Sequence, residues 1–480
     1  MRDLREYIAT LEEHDQLEHV TGVDWDLAIG GISEIARRDG FGTALLFDDI
    51  PDYEPGYRIL TNPLDTPLQF AQAFGYGPMT DMKSVVVEHK ERGQTSGDGE
   101  LRTVEDGPVL ENVQRDDDID ITDFPALKWH ENDGGRYIGT GDAVITRHMD
   151  TGAINAGTYR VQVHGTRTAT VNIEPDRDGA RNRESYFERG EPFPVVVSLG
   201  HQPDVFLAAS ERTATHTNEL EYLSARRGEP LPVVHGEVTG LPFPAESELV
   251  FEGHVYPDQD TLVEGPFGEF TGYYGSGGRE RHPFVVERVY HRDDPIVLGY
   301  NNVPIRASAN SIVKGAATLW QQLEDAGVPG IDEVNSVLPG SWYQVISIEQ
   351  QYSGHSTQAG LQAVSLPAGA WSGRITVVVD EDIDAFDLDE VRWAITTRFD
   401  PAEDLHVVDR AVSGELDPRI HPERKERGDL TNSRAIVDAT RPFHWRDAFP
   451  PDSKLDSERE AAIREEYGDL LDTLRSGNSP

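Results

Sequence analysis

GTYRVQVHGTRTATVNIEP, residues 157–175, alternates apolar and polar side chains on either side of a His-Gly pair. A period of two puts Tyr159, Val161 and Val163 on one face of a strand and Arg160, Gln162 and His164 on the other, and predicts a hairpin turning around His164–Gly165. FPVVVSLG (193–200) and SELVFEGHVYPD (247–258) read as further strands of the same kind. Short strands at this density, separated by Gly, Pro and His-Gly turns, predict a compact β-barrel-like region over residues 114–306 rather than a doubly wound sheet.

The flanks have a different texture. Residues 1–113 predict a small α/β domain: a helix with Leu4, Ile8 and Leu11 on one face, a second helix around DLAIGGISEIARR (26–38), a strand ALLFDDI (44–50), then short strand-like runs in DMKSVVVEHKERG (81–93) and RTVEDGPVLENV (102–113). The charge run QRDDDIDITDFP (114–125) reads as a solvated connector. SANSIVKGAATLWQQLEDAG (308–327) predicts a helix ending at glycine, suited to link two domains as residues 307–327. Beyond it, the strands WYQVISIEQ, ITVVVDEDID and LHVVDRAV, with a helix LDEVRWAITTRFD between the last two, predict a second α/β unit over residues 328–480. A terminal helix (453–477) carries a narrow apolar stripe of Leu455, Ala462, Ile463, Tyr467, Leu470, Leu471 and Leu474 that can pack on its own domain or on a partner subunit.

Composition narrows the function. The 480 residues carry 86 acidic and 43 basic side chains, a formal charge of -43, which repels nucleic acid and anionic membrane surfaces. Only Lys83, Lys90, Lys128, Lys314, Lys425 and Lys454 are lysines, and a carboxylate surface balanced by arginine is what a halophile's cytoplasmic protein needs to stay hydrated in molar salt. The absence of cysteine removes disulfides, thiolate nucleophiles and sulfur-ligated metals, so any metal must take oxygen or imidazole ligands. No apolar run is long enough to span a membrane, and the amino terminus lacks a signal peptide's continuous apolar core, so a soluble, cytoplasmic protein is expected.

Two clusters stand out from the acidic background. EGPFGEFTGYY, residues 264–274, sets Glu264 and Glu269 around a Gly-Pro-Phe-Gly bend with Phe267, Phe270, Tyr273 and Tyr274 behind it. An aromatic lining raises carboxyl pKa values toward the range of proton transfer, and paired acids in one pocket divide into a donor and a charge partner. In INAGTYRVQV, Asn155 precedes the strand that bears Arg160; an amide oxygen beside a carboxylate such as Glu219 suits a hard cation, and arginine suits a carboxylate substrate. Spacing alone leaves Asn155 a turn residue and Glu219 a helix-surface acid.

Read in order, N-x-G-x-Y-R, a variant of S-E-Y ahead of R-G-E-P, and E-G-P-x-G-[DE]-x-T-G-Y-Y resemble the UbiD family of prenylated-FMN-dependent decarboxylases. The resemblance runs from DLREYIATLEEHDQL through FPVVVSLG, QQYSGH and WAITTRFDP to SRAIVDAT, nearly the whole chain. It implies an α/β multidomain fold with a central split β-barrel that binds prenylated FMN, held along Asn155, Ala156, Gly157, Thr158, Tyr159, Arg160 and Gln162. It implies a divalent metal, Mn2+ or Mg2+, on Asn155, Asp176 and Glu219, with K+ nearby. Glu221 is a second candidate, because Asn218-Glu219-Leu220 departs from the family's S-E-Y. Asp176 stands where relatives have histidine, and Ser356-Thr357-Gln358 follows Gly354-His355 where some have a basic residue. Arg160, Glu264 and Glu269 match the family's catalytic network, with Arg160 orienting the carboxylate, Glu269 delivering the proton and Glu264 positioning both.

The activity so implied is a reversible, non-oxidative decarboxylation of an aromatic (4-hydroxybenzoate-like) or α,β-unsaturated acid, with a place in quinone synthesis, a flavin prenyltransferase to supply the cofactor, and a homo-oligomer, dimer or hexamer. Its alternatives are a decarboxylase of an isoprenoid-precursor phosphate acid, a non-catalytic paralogue with weakened cofactor binding, and a metal-dependent hydrolase, which the lack of a His-x-x-x-His pair disfavours. The charge itself generates an expectation: the thermal unfolding midpoint drops when potassium chloride is diluted from molar to millimolar concentration, and a midpoint indifferent to salt overturns the halophilic reading.

Overall fold

The computed structural model describes residues 3–93, 99–175, 177–211, 218–275, 277–301, 306–337, 342–370, 373–455 and 457–477. Among these, the strands form sheets of nine, five, four, three and two. The nine-stranded antiparallel sheet holds the centre. Its order places Arg136–Gly139 and Val161–Gly165 at one end and Ala143–Arg147 and Ile154–Gly157 at the other, with Thr168–Val171, Phe284–His291, Leu249–Val255 and Phe193–Leu199 between. Ile154–Gly157 and Val161–Gly165 therefore lie far apart in the sheet yet are joined through Thr158, Tyr159 and Arg160 alone. So few residues reach no more than roughly 14 Å, so the sheet must curl until its ends nearly meet. The result is a barrel with one seam, crossed by these residues.

The pattern of faces follows the alternation: Tyr159, Val161 and Val163 are buried in the core, while His164 is exposed. The hairpin turns later than expected, at Thr166–Arg167, because the pairing runs to Gly165 and shifts register between Thr168 and Ala169. Two other expectations are corrected. Residues 82–93 form a helix instead of strand-like runs, since Val85, Val86 and His89 share one buried face at helical spacing. The acidic run is no simple connector: Asn112–Arg115 pairs with Phe284–His291, and Ile119, Ile121 and Phe124 sit in the core beneath the solvated aspartates.

A four-stranded sheet, Leu17–Thr21, Ala44–Asp48, Arg58–Thr61 and Ile296–Gly299, packs beside the barrel, its last strand arriving after the chain has traversed the central sheet. The five-stranded sheet runs Ile331–Ser336, Tyr343–Ile348, Ile375–Asp380, Thr431–Ala439 and Leu405–Val412. Helix Ala309–Asp325 is more than a linker: Val313, Leu319, Trp320 and Leu323 share one core with Leu4 and Tyr7 of the first helix and with Val334, Ile346 and Val378 of the five-stranded sheet. The terminal helix Ser457–Gly477 forms, but Tyr467 and Leu470 stay about half exposed, so its stripe is not folded onto its own subunit. Among the described residues no helix is long and apolar enough to cross a membrane.

Asp142, beside the seam, is fully buried, and neither carboxyl oxygen has a hydrogen-bond partner. Burial pushes its pKa well up. The folded chain thus holds a proton that the unfolded chain releases above the ordinary aspartate range, and this contribution to stability is lost as pH rises. Asp142→Asn should therefore stabilise the protein more at pH 8 than at pH 5, because the variant has no proton to hold as pH rises. Urea unfolding at fixed salt measures it; a difference independent of pH overturns the assignment of a neutral Asp142.

Candidate active site

Arg160 occupies the last position of the seam crossing. Its Nε and Nη2 donate to the two oxygens of Glu264 at 2.7 and 3.0 Å, and its Nη1 donates to Glu269 at 2.6 Å. The first pair is a two-point fork, the strongest geometry open to an ion pair; the second is a single bond. Phe267 lies under the guanidinium at 5.3 Å. Burial works against the Arg160 charge, but the hydrogen bond to Glu264 and the charges of Glu269 and Glu264 outweigh it, and the pKa moves up. For Glu269 the balance differs: burial raises its pKa more than Arg160 lowers it, so this carboxyl is the more easily protonated than an ordinary glutamate. Among the described residues, three of the five guanidinium N–H groups are engaged, leaving one on each terminal nitrogen for a further acceptor.

The bend that carries both acids is pinned from behind. Gln162, next but one to Arg160 and on the same face, accepts the Gly265 N–H at 2.8 Å, Asp133 accepts the Gly268 N–H at 2.9 Å, and Pro266 O accepts the Gly134 N–H at 2.8 Å. Tyr137 donates its hydroxyl within 3.2 Å of Glu264 and packs its ring 4.5 Å from Phe267. Two glycines are demanded by this fit. Gly265 has φ of 79°, and a Cβ on Gly134 would stand 2.0 Å from the Gly265 carbonyl. The bracing segment 130–137 lies outside the motifs, and its one signal in the sequence is the Gly134–Gly135 doublet between Asp133 and Tyr137. The aromatic enclosure is also narrower than expected. Phe267 lines the site and Phe270 packs edge-on against Trp342 at 6.2 Å, whereas Tyr273 is 61% exposed and Tyr274 stands at the rim, accepting from Asn132 N–H.

A second group of oxygens lies at the other end of the crossing. Glu219, in the first turn of helix Glu219–Arg227, is buried and accepts the Ala156 N–H at 2.7 Å, with the Asn155 amide nitrogen 3.3 Å away. Tyr159 donates to Asn155 Oδ1 at 3.2 Å. Glu221, on the same helix, is exposed, so of the two candidate acids only Glu219 reaches Asn155. Ala156 and Gly157 are buried strand residues, and Thr158 has a buried hydroxyl with no partner among the described residues. Asp176 lies outside the described residues. Among the described residues, no three His, Asp or Glu side chains gather as a metal cage. An amide oxygen, a carboxylate and an unpartnered hydroxyl are the donor set a hard cation with an anionic ligand would use.

The outer side of the bend is held by the loops of the five-stranded sheet. Arg279 pairs with both Glu174 and Glu415, and Lys425 donates to the Gly275 carbonyl at 3.0 Å. Arg374 lies 4.4 Å over the Trp342 ring and bonds Asp417 at 2.6 Å.

Residues 8–87, 102–304 and 313–439 match the N-terminal, Rift-related and C-terminal domains of 3-octaprenyl-4-hydroxybenzoate carboxy-lyase. The chain is similar to a phenolic acid decarboxylase of Streptomyces sp. (strain D7), 32% identical over 454 residues and covering 92% of each chain. It is similar in fold to vanillic acid decarboxylase of Sedimentibacter hydroxybenzoicus in its open form, with a TM-score of 0.83 at 28% identity, over 100% of this chain and 99% of that one. The UbiD-class enzyme HmfF from Pelotomaculum thermopropionicum, solved in complex with FMN, superposes with a TM-score of 0.82 at 28% identity, over 95% and 98% of the two chains. An evolved dimeric form of HmfF was solved in complex with prFMN and superposes with a TM-score of 0.80 at 27% identity, over 96% and 98%. A match to every domain of one family, over a buried arginine that bridges two glutamates, shows that the chain belongs to the UbiD family and is a carboxy-lyase.

Proposed function

We propose that the protein is a reversible, non-oxidative decarboxylase of a phenolic or α,β-unsaturated carboxylic acid that works with prenylated FMN and a divalent metal. The observation that carries the reading is the Arg160 bridge: one guanidinium shared by a fully engaged carboxylate, Glu264, and a singly bonded one, Glu269, whose pKa burial pushes up. The two Arg160 N–H groups still unengaged are a fork for the substrate carboxylate. Glu264 keeps the guanidinium in plane and in place. Glu269 holds the proton that returns to the carbon from which carbon dioxide leaves. In the reverse direction it takes that proton away. Phe267 shields this exchange from water from below.

Asn155 and Glu219 would hold a Mn2+ or Mg2+ ion, with Asp176 as the expected third ligand and K+ nearby, and the stretch 155–162 would line the flavin. When bound, the prenylated flavin supplies the electron sink that loss of carbon dioxide from an sp2 carbon requires. HmfF, solved with FMN and with prFMN, supports that assignment, and phenolic acid decarboxylase relatives support the substrate class. The same reading includes three domains, residues 1–113, 114–306 and 328–480 with 307–327 between them, a flavin prenyltransferase as cofactor supplier, a role in quinone synthesis, and a homo-oligomer that covers the terminal helix. It also includes a cytoplasmic setting at high salt, consistent with the charge of -43.

Protein co-expressed with a flavin prenyltransferase and purified in concentrated potassium chloride with manganese should carry prenylated FMN near one per chain, by absorbance and intact cofactor mass, and should release carbon dioxide from a hydroxybenzoic acid. A folded chain that takes up no flavin defeats the proposal. Glu269→Gln should keep the cofactor and lower kcat roughly 100- to 10,000-fold, with loss of hydrogen-deuterium exchange into the product at the site of decarboxylation. Glu219→Ala should abolish manganese-dependent flavin uptake and Glu221→Ala should not; equal effects would remove the metal role from Glu219.

A further inference from the structure

Lys314, on helix Ala309–Asp325, points its ammonium into the interior beside the seam, where Nζ donates to Ser210 Oγ at 2.6 Å. Ser210 is the residue after Ala209, whose carbonyl accepts the Thr158 N–H at 3.1 Å. Thr158 lies between Asn155 and Arg160 and carries the buried hydroxyl that lacks a partner. Among the described residues Ser210 is the lone hydrogen-bond partner of Lys314, which leaves two ammonium donors unused.

The charges around it do not cancel. Glu211 is bonded by Arg226 at 3.0 Å and approached by His89 at 3.6 Å, and although burial opposes its ionisation, the His89 hydrogen bond and the charges of Arg226 and Lys314 draw its pKa down to about 2. His89 is neutral, pushed down to about 4 by burial and by Arg226. Among the described residues, the single carboxylate of Glu211 thus faces two cations, Arg226 and Lys314, and one positive charge is in excess. Burial presses the Lys314 pKa down to about 8, with Glu211 opposing. An uncompensated cation facing inward, in a chain of net charge -43, needs an anion to satisfy it. Ser356, Thr357 and Gln358 carry no charge, and each is already turned to a partner of the five-stranded-sheet region: Asp438, His406 and Tyr352.

We propose that Lys314, held by Ser210, is a cationic anchor for the phosphate monoester of the flavin mononucleotide, acting with the Thr158 hydroxyl across from the Asn155–Glu219 pair. The inference rests on the flavin-dependent function proposed above. It assigns to a helix between the barrel and the five-stranded sheet the charge that the stretch after Gly354–His355 does not supply.

Flavin-free protein in concentrated potassium chloride with manganese is titrated with FMN and with riboflavin, which lacks the phosphate, and binding is read from flavin fluorescence. The native chain should prefer FMN. Lys314→Met should weaken FMN binding roughly ten- to a hundredfold and leave riboflavin binding unchanged, while Lys314→Arg retains most of the preference. If Lys314→Met keeps the native ratio of FMN to riboflavin affinity, whether both stay or both fall, the lysine serves only to balance Glu211 and the inference is overturned. A native chain that binds neither flavin overturns the proposed function, and this inference with it.

Discussion

Two buried carboxylates share one guanidinium, and the geometry of the site follows from how that shortage is settled. Glu264 takes the fork and is fully enclosed; Glu269 takes a single bond and is partly open, with a side-chain exposure of 11%. A buried anion is costly unless paired and hydrogen-bonded. Glu264 is therefore the better-paired acid, and Glu269, which burial makes easier to protonate, is the one that the proposed function uses as proton donor. Exchanging the two positions would require the bend to turn over, which its three backbone hydrogen bonds to Gln162, Asp133 and Gly134 prevent. Elsewhere the sharing runs the other way, with one carboxylate between two cations: Glu248 takes Arg5 and Arg292, and Asp380 takes Arg398 and Arg441.

The rest of the molecule supports this arrangement from several sides. The barrel presents Arg160 at its seam, the segment 130–137 braces the bend from within, and Arg279 and Lys425 tie it to the five-stranded sheet from without. Helix Ala309–Asp325 reaches the same neighbourhood from the core it shares with the first helix and that sheet. The site is built where separate layers meet, so its precision depends on their packing.

Much of this was legible in the chain. Alternation marked the hairpin strands, Gly327 marked the end of the long helix, and the order of short motifs brought Arg160, Glu264 and Glu269 together as a family network although more than a hundred positions separate the arginine from the acids. Other parts were hidden for physical reasons. Val85 and Val86 are β-branched and imitate a strand, yet tertiary burial beside His89 makes a helix. Ile119, Ile121 and Phe124 were masked by the aspartates between them. Tyr137 and Asp133 act through hydrogen bonds to a loop distant in sequence, and no periodicity records such contacts. The closeness of Lys314 to Ser210 is likewise a property of packing alone.

The seam has a further consequence, for the order in which the protein comes into being. Residues 158–160 join strands at opposite ends of the sheet, so they take up their final path only when strands as distant in sequence as Ala143–Arg147 and Phe284–His291 have found their places. Such non-local pairings form slowly, because loop closure precedes the contacts that reward it. The Arg160 bridge to its two acids therefore depends on the same long-range strand pairings that close the sheet. A chain with its local helices and hairpins formed but its sheet not yet closed lacks the Arg160 bridge to Glu264 and Glu269.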